Sequence, residues 1–536
     1  MTAHVQPPAL LIPESAPFTP EQRSWLSGYF SALLASDMGG ATAVTGAEAT
    51  AFGAPAGPEL ADNDAAPWHD PSVAIVDRMD MAKERPLAPR LMAAMAQQDC
   101  GQCGYNCADY ANALFLKKEE RLNLCAPGGK ETARMLRALA AELGEATHAA
   151  GPAADPATAV DTPSGPRGYC RENPVPAAFL SRRRLNGEGS EKETWHVEID
   201  LTRSDVAYEV GDSLGVFPTN ATLVVDAVIA QLGARPERLI GEKTFRDHLL
   251  FDYALGPAPD ALFSLISQIT GGEGRRKARA LAAGEDPDGD AASLDVLGAL
   301  HKFPAARPDA EAFLEALETL QPRLYSISSS PKADPGRVTL TIDTVRYAIN
   351  RRQRLGVAST FFAQRIEAGA PLKIYVQKAH NFALPHDPAT PVIMCGPGTG
   401  IAPFRAFLRD RKAAAAPGRN WLFFGHQRQT HDFFYRDELT AMRDEKFLTR
   451  LTLAWSRDGS EKIYVQDRMR EVGPDLWSWL QDGAHFYICG DAKRMAKDVE
   501  TAIVDVVQKH GGRGPDEAVA YVAALKKAGR YQADVY

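Results

Sequence analysis

The spacing of hydrophobic positions changes along the chain, and those changes divide it into segments. In "FTPEQRSWLSGYFSALLAS", Trp25, Leu26, Tyr29, Phe30, Leu33 and Leu34 fall at helical intervals, which predicts a short helix near the N-terminus. Residues 36–70 are rich in Gly and Ala without periodicity and read as linker. Helical patterning returns over 71–145, and "HAAGPAADPATAVDTPSGPRG" (148–168) is a second linker of Ala, Pro and Gly. From about 170 the texture shifts: "TWHVEIDL" and "VTLTIDTV" alternate as half-buried strands do. Between them, residues 221–320 are helical in pattern, most clearly in "DALFSLISQIT" and "AEAFLEALETL". Beyond 390, the short apolar runs "PVIMC", "NWLFFG", "LTLAW" and "AHFYICG" alternate with helical stretches, the rhythm of a parallel sheet built from βαβ units.

Composition narrows the class. A chain of 536 residues exceeds one hydrophobic core and predicts two to four domains. Hydrophobic content of 45% and charged content of 24% are those of a soluble globular protein. A formal charge of −8 gives no electrostatic reason to expect nucleic acid. The N-terminus has neither a basic start nor an apolar core of signal length, and no run of about 18 apolar residues predicts a membrane span. Seven cysteines, an odd number, with no secretion signal fit the reducing cytoplasm, where clustered thiols more often bind metal or do redox chemistry than crosslink.

Three stretches carry chemistry. "PVIMCGPGTGIAPFRAFLRDR" runs strand, turn, helix, and Gly396, Gly398 and Gly400 let the backbone approach a pyrophosphate at the helix N-terminus, with Pro403 in its first turn. On that pattern alone an ordinary tight turn is an equal alternative. "AWSRDGSEKIYVQD" gathers Ser456, Arg457, Lys462, Tyr464 and Gln466, donors suited to a phosphate monoester rather than a free ribose diol. On charge alone a solvated basic loop is the blander reading. The third stretch, "DCGQCGYNCADYANAL…LNLCAPGG", spaces Cys100, Cys103, Cys107 and Cys125 as C-x2-C-x3-C-x17-C among glycines. Four thiolates suit zinc or an iron–sulfur cluster. One close group of three with a distant fourth favours a cubane cluster over a zinc ribbon with two knuckles; zinc and redox thiols remain the alternatives.

Several motifs together resemble the ferredoxin–NADP reductase-like module of diflavin reductases: "RLYSISSS" (323–330), "GVAST" (356–360), "GPGTGIAPFRAF" (396–407), "FFGHQ" (423–427), "WSRD" (455–458), "YICGDA" (487–492) and "GRYQADVY" (529–536). Within that family the match is nearest to the flavoprotein subunits of NADPH-dependent sulfite reductases, and it covers about 170–536. The resemblance implies that Arg323, Leu324, Tyr325 and Ser326 bind FAD, with Arg323 on the pyrophosphate, Tyr325 on the flavin ring and Ser326 at its reactive edge. Gly356, Val357, Ala358, Ser359 and Thr360 would wrap the FAD diphosphate. Gly398, Thr399 and Gly400 would hold the NADPH pyrophosphate, Asp491 would lie in the same site, and Ser456, Arg457, Lys462, Tyr464 and Gln466 would read the 2′-phosphate. Cys489 and Asp534 would steer hydride transfer at the nicotinamide, and Tyr536 would stack on the flavin and move aside. Cys489 alone reads as a small buried residue, and Cys395 and Cys170 read as structural. "HNFALP" carries Ala383 where these flavoproteins usually have Arg, which puts a peripheral contact in doubt.

Diflavin reductases also carry an FMN-binding flavodoxin domain, whose "GSQTGNA" phosphate loop has no counterpart in 1–169, although "FTPEQRSWLSGYFSALLA" resembles the segment preceding it. In its place stands the cysteine stretch, which resembles a small helical iron–sulfur domain of Rnf-type electron-transport subunits and corrinoid iron–sulfur proteins. Their second gap is usually four residues; here it is three. The expected architecture is therefore multidomain α+β and α/β: an N-terminal helix and linker (1–70), a helical four-cysteine domain (71–147), a linker (148–169), an antiparallel β-barrel FAD domain (170–388, helical insertion about 221–320) and a doubly wound NADP domain (389–536). The expected activity is electron transfer from NADPH through FAD to a 4Fe-4S cluster and on to a sirohaem sulfite reductase subunit, in the cytoplasm. A nitrite or nitrate reductase partner is the runner-up, and a diaphorase with a structural zinc or docking module is the reading of a different class.

Overall fold

The computed structural model describes residues 68, 73–98, 103, 105, 107–125, 127–147, 166–349, 352–379, 382–492 and 494–536. The predicted N-terminal helix, both linkers over most of their length and Cys100 lie outside these residues. Four helices come first: α1 (Ile75–Met81), α2 (Leu87–Ala93), α3 (Cys107–Phe115) and α4 (Gly129–Thr147). Leu91, Met95, Tyr110, Leu114 and Leu136 meet in a small core that also takes in Cys103, Cys107 and Cys125. Arg78 is buried beneath it and ties α1 to the end of α2, donating to the carbonyls of Ala93 (3.1 Å), Val73 (2.8 Å) and Met95 (2.8 Å). A buried guanidinium is tolerable only with its donors satisfied in this way.

The alternating segments form β1 (Val175–Arg184), β2 (Thr194–Asp200), β3 (Ser213–Val216), β4 (Arg323–Ser326), β5 (Arg337–Asp343), the hairpin β6 (Arg346–Ile349) and β7 (Arg352–Leu355), and β8 (Pro371–Gln377). Six of them make one antiparallel sheet in the order β4-β3-β8-β1-β2-β5. A bridge between Ile327 and Leu340 brings its two edges together, which closes the sheet on itself and leaves no open edge. Phe179, Val197, Leu214, Val216, Leu340 and Ile374 fill its interior. Between β3 and β4 the predicted helical stretch holds α5 (Thr222–Leu232), α6 (Asp260–Ile269), α7 (Gly272–Ala282), α8 (Val296–Lys302) and α9 (Ala310–Glu315) around a core of their own that includes Phe245, Phe263 and Phe313.

The four apolar runs beyond 390 become β9 (Val392–Cys395), β10 (Asn420–His426), β11 (Arg450–Trp455) and β12 (His485–Gly490), joined by β13 (Tyr531–Val535). All are parallel, in the order β11-β10-β9-β12-β13. Successive residues point to opposite, equally buried faces. Ile393, Trp421, Phe423 and Ile488 pack against α11 (Val465–Glu471), α12 (Gly473–Gln481), α13 (Met495–Gly511) and α14 (Pro515–Lys527). Met394, Leu422, Phe424 and Tyr487 pack against α10 (Ile401–Ala413). Burial on both faces is why these strands read as unbroken apolar runs rather than alternating ones. No helix among the described residues is long and apolar enough to cross a membrane.

Helix α10 also joins the two sheets. Arg405 donates to the carbonyl of Ser328 (2.7 Å), pairs with Glu438 (2.8 Å) and stacks on Tyr435 (4.7 Å). Arg409 pairs with Asp334 (2.6 Å), and Ser330 donates to Asp410 (2.8 Å). His196 of β2 is buried at the same joint, with Nδ1 3.1 Å from the Tyr435 hydroxyl. Burial first, then Arg405, Arg183 and Arg409, pushes its pKa down to about 3, although Glu198 stands 3.6 Å from Nε2. Because the unfolded imidazole takes a proton near pH 6.5 and the folded one does not, stability is full above that value and lost as pH falls toward 3. Acidification from neutrality to about pH 5 is expected to cost about 2 kcal/mol through this group. Urea titrations of His196→Gln should show that increment removed; an unchanged acid sensitivity overturns the assignment.

Candidate functional site

The site lies where the carboxyl ends of β9, β12 and β13 meet the barrel strand β4. After β9 the chain turns through Gly396–Gly400 into α10. A methyl group on Gly400 would stand 2.1 Å from the carbonyl oxygen of Cys489, so this position excludes every side chain. The turn is therefore pressed against the end of β12. In β12 and β13 the register pairs Cys489 with Asp534 and Gly490 with Val535. The last residue, Tyr536, donates its N–H to Gly490 (3.0 Å) and returns its carbonyl to the N–H of Ala492 (3.2 Å). Its hydroxyl is 2.8 Å from that of Thr399, and its ring is 43% exposed, a planar apolar face at the mouth of the site.

Asp534 is the meeting point. Ser326 Oγ donates to its Oδ2 (2.7 Å), and Cys489 Sγ donates to the same oxygen (3.7 Å). Burial raises the Asp534 carboxyl above the usual range, against the pull of these two donors. Burial, reinforced by Asp534, holds the Cys489 thiol protonated. Expected residues from three separate segments thus share one hydrogen-bonded group. A buried carboxyl beside a thiol and a hydroxyl can stabilise a neighbouring ring that gains positive charge on giving up hydride. Cys395 is fully buried in β9, and burial pushes its thiol up.

On the barrel side, β4 pairs with β3, so that Arg323 faces Val216 and Tyr325 faces Leu214. Tyr325 meets Phe362 edge to face at 6.0 Å, and Leu324 is half-buried on the same strand. Arg323 donates to the carbonyls of Gln321 (3.0 Å) and Pro322 (3.1 Å), and burial lowers its pKa. In the turn Gly356–Thr360, Ser359 accepts from the N–H of Val345 (3.1 Å) and Thr360 donates to the carbonyl of Gly356 (2.9 Å), while Val357 and Ala358 begin a short helical turn. Arg365 braces it, donating to Thr360 Oγ1 (2.6 Å) and to the carbonyls of Val357 (2.7 Å) and Thr219 (2.8 Å). Burial brings Arg365 down to about 10, and its Nε and the Thr344 hydroxyl are buried without partners among the described residues. Two half-buried guanidiniums, neither in an ion pair among the described residues, and two orphaned polar atoms suit a bound diphosphate. The FAD expected here fits this donor set.

Beside the glycine turn a cleft of about 590 Å³ is lined by five expected residues, Gly398, Ser456, Tyr464, Gln466 and Asp491. It also takes in Lys192, His426 and Arg494, which sequence reasoning missed. Lys192 arrives from the β1–β2 connection of the barrel, and only the folded chain brings it here. Four expected residues are elsewhere: Arg457 pairs with Glu191, Lys462 is exposed outside the lining, Gly400 lies beneath the turn, and Thr399 meets the Tyr536 hydroxyl. Asp491 caps α13, accepting from the N–H groups of Arg494 (2.7 Å) and Met495 (3.2 Å). The mixture of cation, hydroxyl and amide donors in this cleft fits the phosphates of a dinucleotide.

The cysteine module supplies three buried thiols. Cys103 donates to the carbonyl of Tyr105 (3.3 Å), and Cys107 opens α3. Burial raises the Cys125 thiol, against backbone N–H bonds from Ala96 and Gly128 and the charge of Arg78. Backbone donors aimed at a sulfur are the chemistry that a metal-bound thiolate uses. Among the described residues no three His, Cys, Asp or Glu side chains are placed to hold a metal ion, and the fourth expected ligand, Cys100, lies outside them.

Comparison with known proteins agrees with this layout. Residues 168–254 and 289–361 match the FAD binding domain family, and residues 394–501 match the oxidoreductase NAD-binding domain family. The chain is 40% identical over 394 residues to the sulfite reductase [NADPH] flavoprotein alpha-component of Bacillus subtilis (strain 168), covering 72% of this chain and 65% of the relative. It is 41% identical over 372 residues to that of Photorhabdus laumondii (69% and 62%) and 41% over 374 residues to that of Shigella dysenteriae serotype 1 (69% and 62%). The chain thus aligns with somewhat less than two thirds of the length of these curated relatives.

Ser326→Ala leaves Asp534 without its nearest donor. NADPH-driven bleaching of the flavin should slow roughly tenfold or more. Its acid limb should also move to higher pH, because a carboxylate that loses a donor is protonated more easily. Stopped-flow traces across a pH series check both, and an unshifted limb refutes the role of Asp534.

Proposed function

We propose that this chain, a homologue of the sulfite reductase [NADPH] flavoprotein alpha-components, carries electrons from NADPH through FAD to a four-iron cluster and on to a sirohaem subunit that reduces sulfite to sulfide. The observation that carries the NADPH–FAD half is the union of Ser326, Cys489 and Asp534 at one point between the barrel and the parallel sheet. When bound, FAD supplies the conversion of a hydride into single electrons, and a cluster supplies one-electron carriage.

The residues of this chain divide the rest of the work. Arg323 and Arg365 hold the FAD diphosphate, helped by Gly356–Thr360, and Leu324, Tyr325 and Ser326 border the flavin. Gly398, Thr399 and Gly400 bring the NADPH pyrophosphate to the start of α10. Ser456, Tyr464 and Gln466, joined by Lys192 and Arg494 of the same cleft, read the 2′-phosphate. Tyr536 covers the flavin face, keeps water from it and yields to nicotinamide. Cys100, Cys103, Cys107 and Cys125 hold the cluster in the space that an FMN domain fills in diflavin reductases. The support for that last step is the burial of three thiols in one core beside the barrel.

The visible spectrum separates this reading from a diaphorase with a structural zinc module. A broad shoulder beside the flavin bands that bleaches with NADPH is expected, whereas flavin bands alone and a stoichiometric zinc ion overturn the relay. In Cys103→Ser, reduction of ferricyanide by NADPH should survive while transfer to the sulfite reductase partner is lost. Unimpaired transfer to that partner refutes the role of the cysteines.

A further inference from the structure

Arg171 stands between the cysteine loop and the flavin strand. Its side chain is only 8% exposed, so its donors must be met by protein groups. Nη1 donates to the backbone carbonyl of Cys103 (2.9 Å), and Nη2 donates to Oε1 of Gln321, two residues before Arg323. Its neighbour Glu172 completes the link: it stands 3.5 Å from Arg171 Nε and accepts from Arg121 Nη2 (3.3 Å), while Arg121 in turn grips Glu119 within the cysteine module (2.6 Å). One planar guanidinium therefore joins two segments that no regular element connects.

The loop is clamped to the part of the barrel that carries Tyr375. Tyr375 of β8 is fully buried there and lies over Gly215 of β3, where a methyl group would stand 2.0 Å from its ring. Gly215 is in register with Leu324 of β4. Burial raises the Tyr375 hydroxyl, and Arg171 opposes. A second tie lies farther out, where Lys130, Arg134 and Arg137 of α4 converge on Asp260 at the start of α6 (3.7, 3.3 and 3.7 Å). That tie is partly exposed and weaker.

We propose that Arg171 is a positioning residue that docks the cysteine loop on the barrel beside the start of β4, so that the loop works from a fixed seat rather than as a domain swinging on its linker. The proposal deepens the relay reading and rests on it for its purpose. The clamp itself is a claim about protein groups alone.

Hydrogen–deuterium exchange on the full-length protein tests the clamp. In Arg171→Ala, peptides covering 101–107 and 371–377 should lose protection together. Gln321→Ala removes only the barrel-side acceptor and should give a smaller loss at both. Arg171→Lys keeps one donor for the Cys103 carbonyl and should restore part of it. Stopped-flow mixing with NADPH adds a readout that general destabilisation would not move selectively: the first phase, flavin bleaching, should match wild type, and any later phase should slow about tenfold or more. Unchanged exchange in Arg171→Ala overturns the docking role, as does loss of protection with an unaltered later phase. If wild type shows no later phase at all, the relay fails, and exchange alone still decides the clamp.

Discussion

The hydrogen bond from Ser326 to Asp534 spans 208 positions of sequence and joins two sheets of opposite construction. One is an antiparallel sheet closed on itself; the other is an open parallel sheet covered on both faces. Neither fold contains a reason to meet the other at this point. A half-buried carboxyl needs donors, and at the end of β13 Asp534 takes one from Cys489 of the neighbouring strand and the shorter one from the edge of the barrel. The site is arranged around that contact: the buried thiol of Cys489 is aimed at the same oxygen, and the next residues of the two strands lead to Tyr536, paired with Gly490.

Holding it takes a stiff joint, and charge and aromatic contacts reinforce the apolar packing of Leu185 and Val210 on the cluster around Phe407. Arg405 and Arg409 extend from α10 to Glu438, Asp334 and the Ser328 carbonyl. Asn186 and Ser190 of the barrel converge on the buried Asp432 from the other side (2.9 and 2.5 Å). Directional bonds of this kind fix rotation as well as distance, whereas an apolar contact of similar area tolerates sliding. For chemistry that depends on two rings lying face to face, rotation is the coordinate that matters.

Much of this was legible in the sequence, for identifiable reasons. Strands buried on two faces announce themselves as apolar runs, so the parallel sheet was visible in "PVIMC" and "AHFYICG". The glycine turn was visible because only glycine tolerates the approach to Cys489. The meeting of Ser326, Cys489 and Asp534 came from the family resemblance, since no local pattern links three segments so far apart. Arg365, Lys192, Arg494 and Arg171 were not legible. Each is an ordinary cation in the chain, and its meaning comes from what folding places opposite it: an orphaned donor, a cleft or a loop carbonyl. Arg457 shows the converse, a cation in a suggestive cluster that folding turns toward Glu191.

The contact between Gly400 and the carbonyl of Cys489 has a metric consequence. One end of a dinucleotide is held by its phosphates and the other reacts at its ring, and the greatest reach between those ends is set by the cofactor's covalent structure. In this protein the two corresponding surfaces, the turn after β9 and the tip of β12, touch through backbone atoms with no side chain between them. Their separation is therefore a property of hydrogen-bond register and van der Waals radii, and rotamer changes cannot alter it. The sheet acts as a gauge block: the spacing between the turn and the tip of β12 is fixed by the backbone before any side chain reads chemistry.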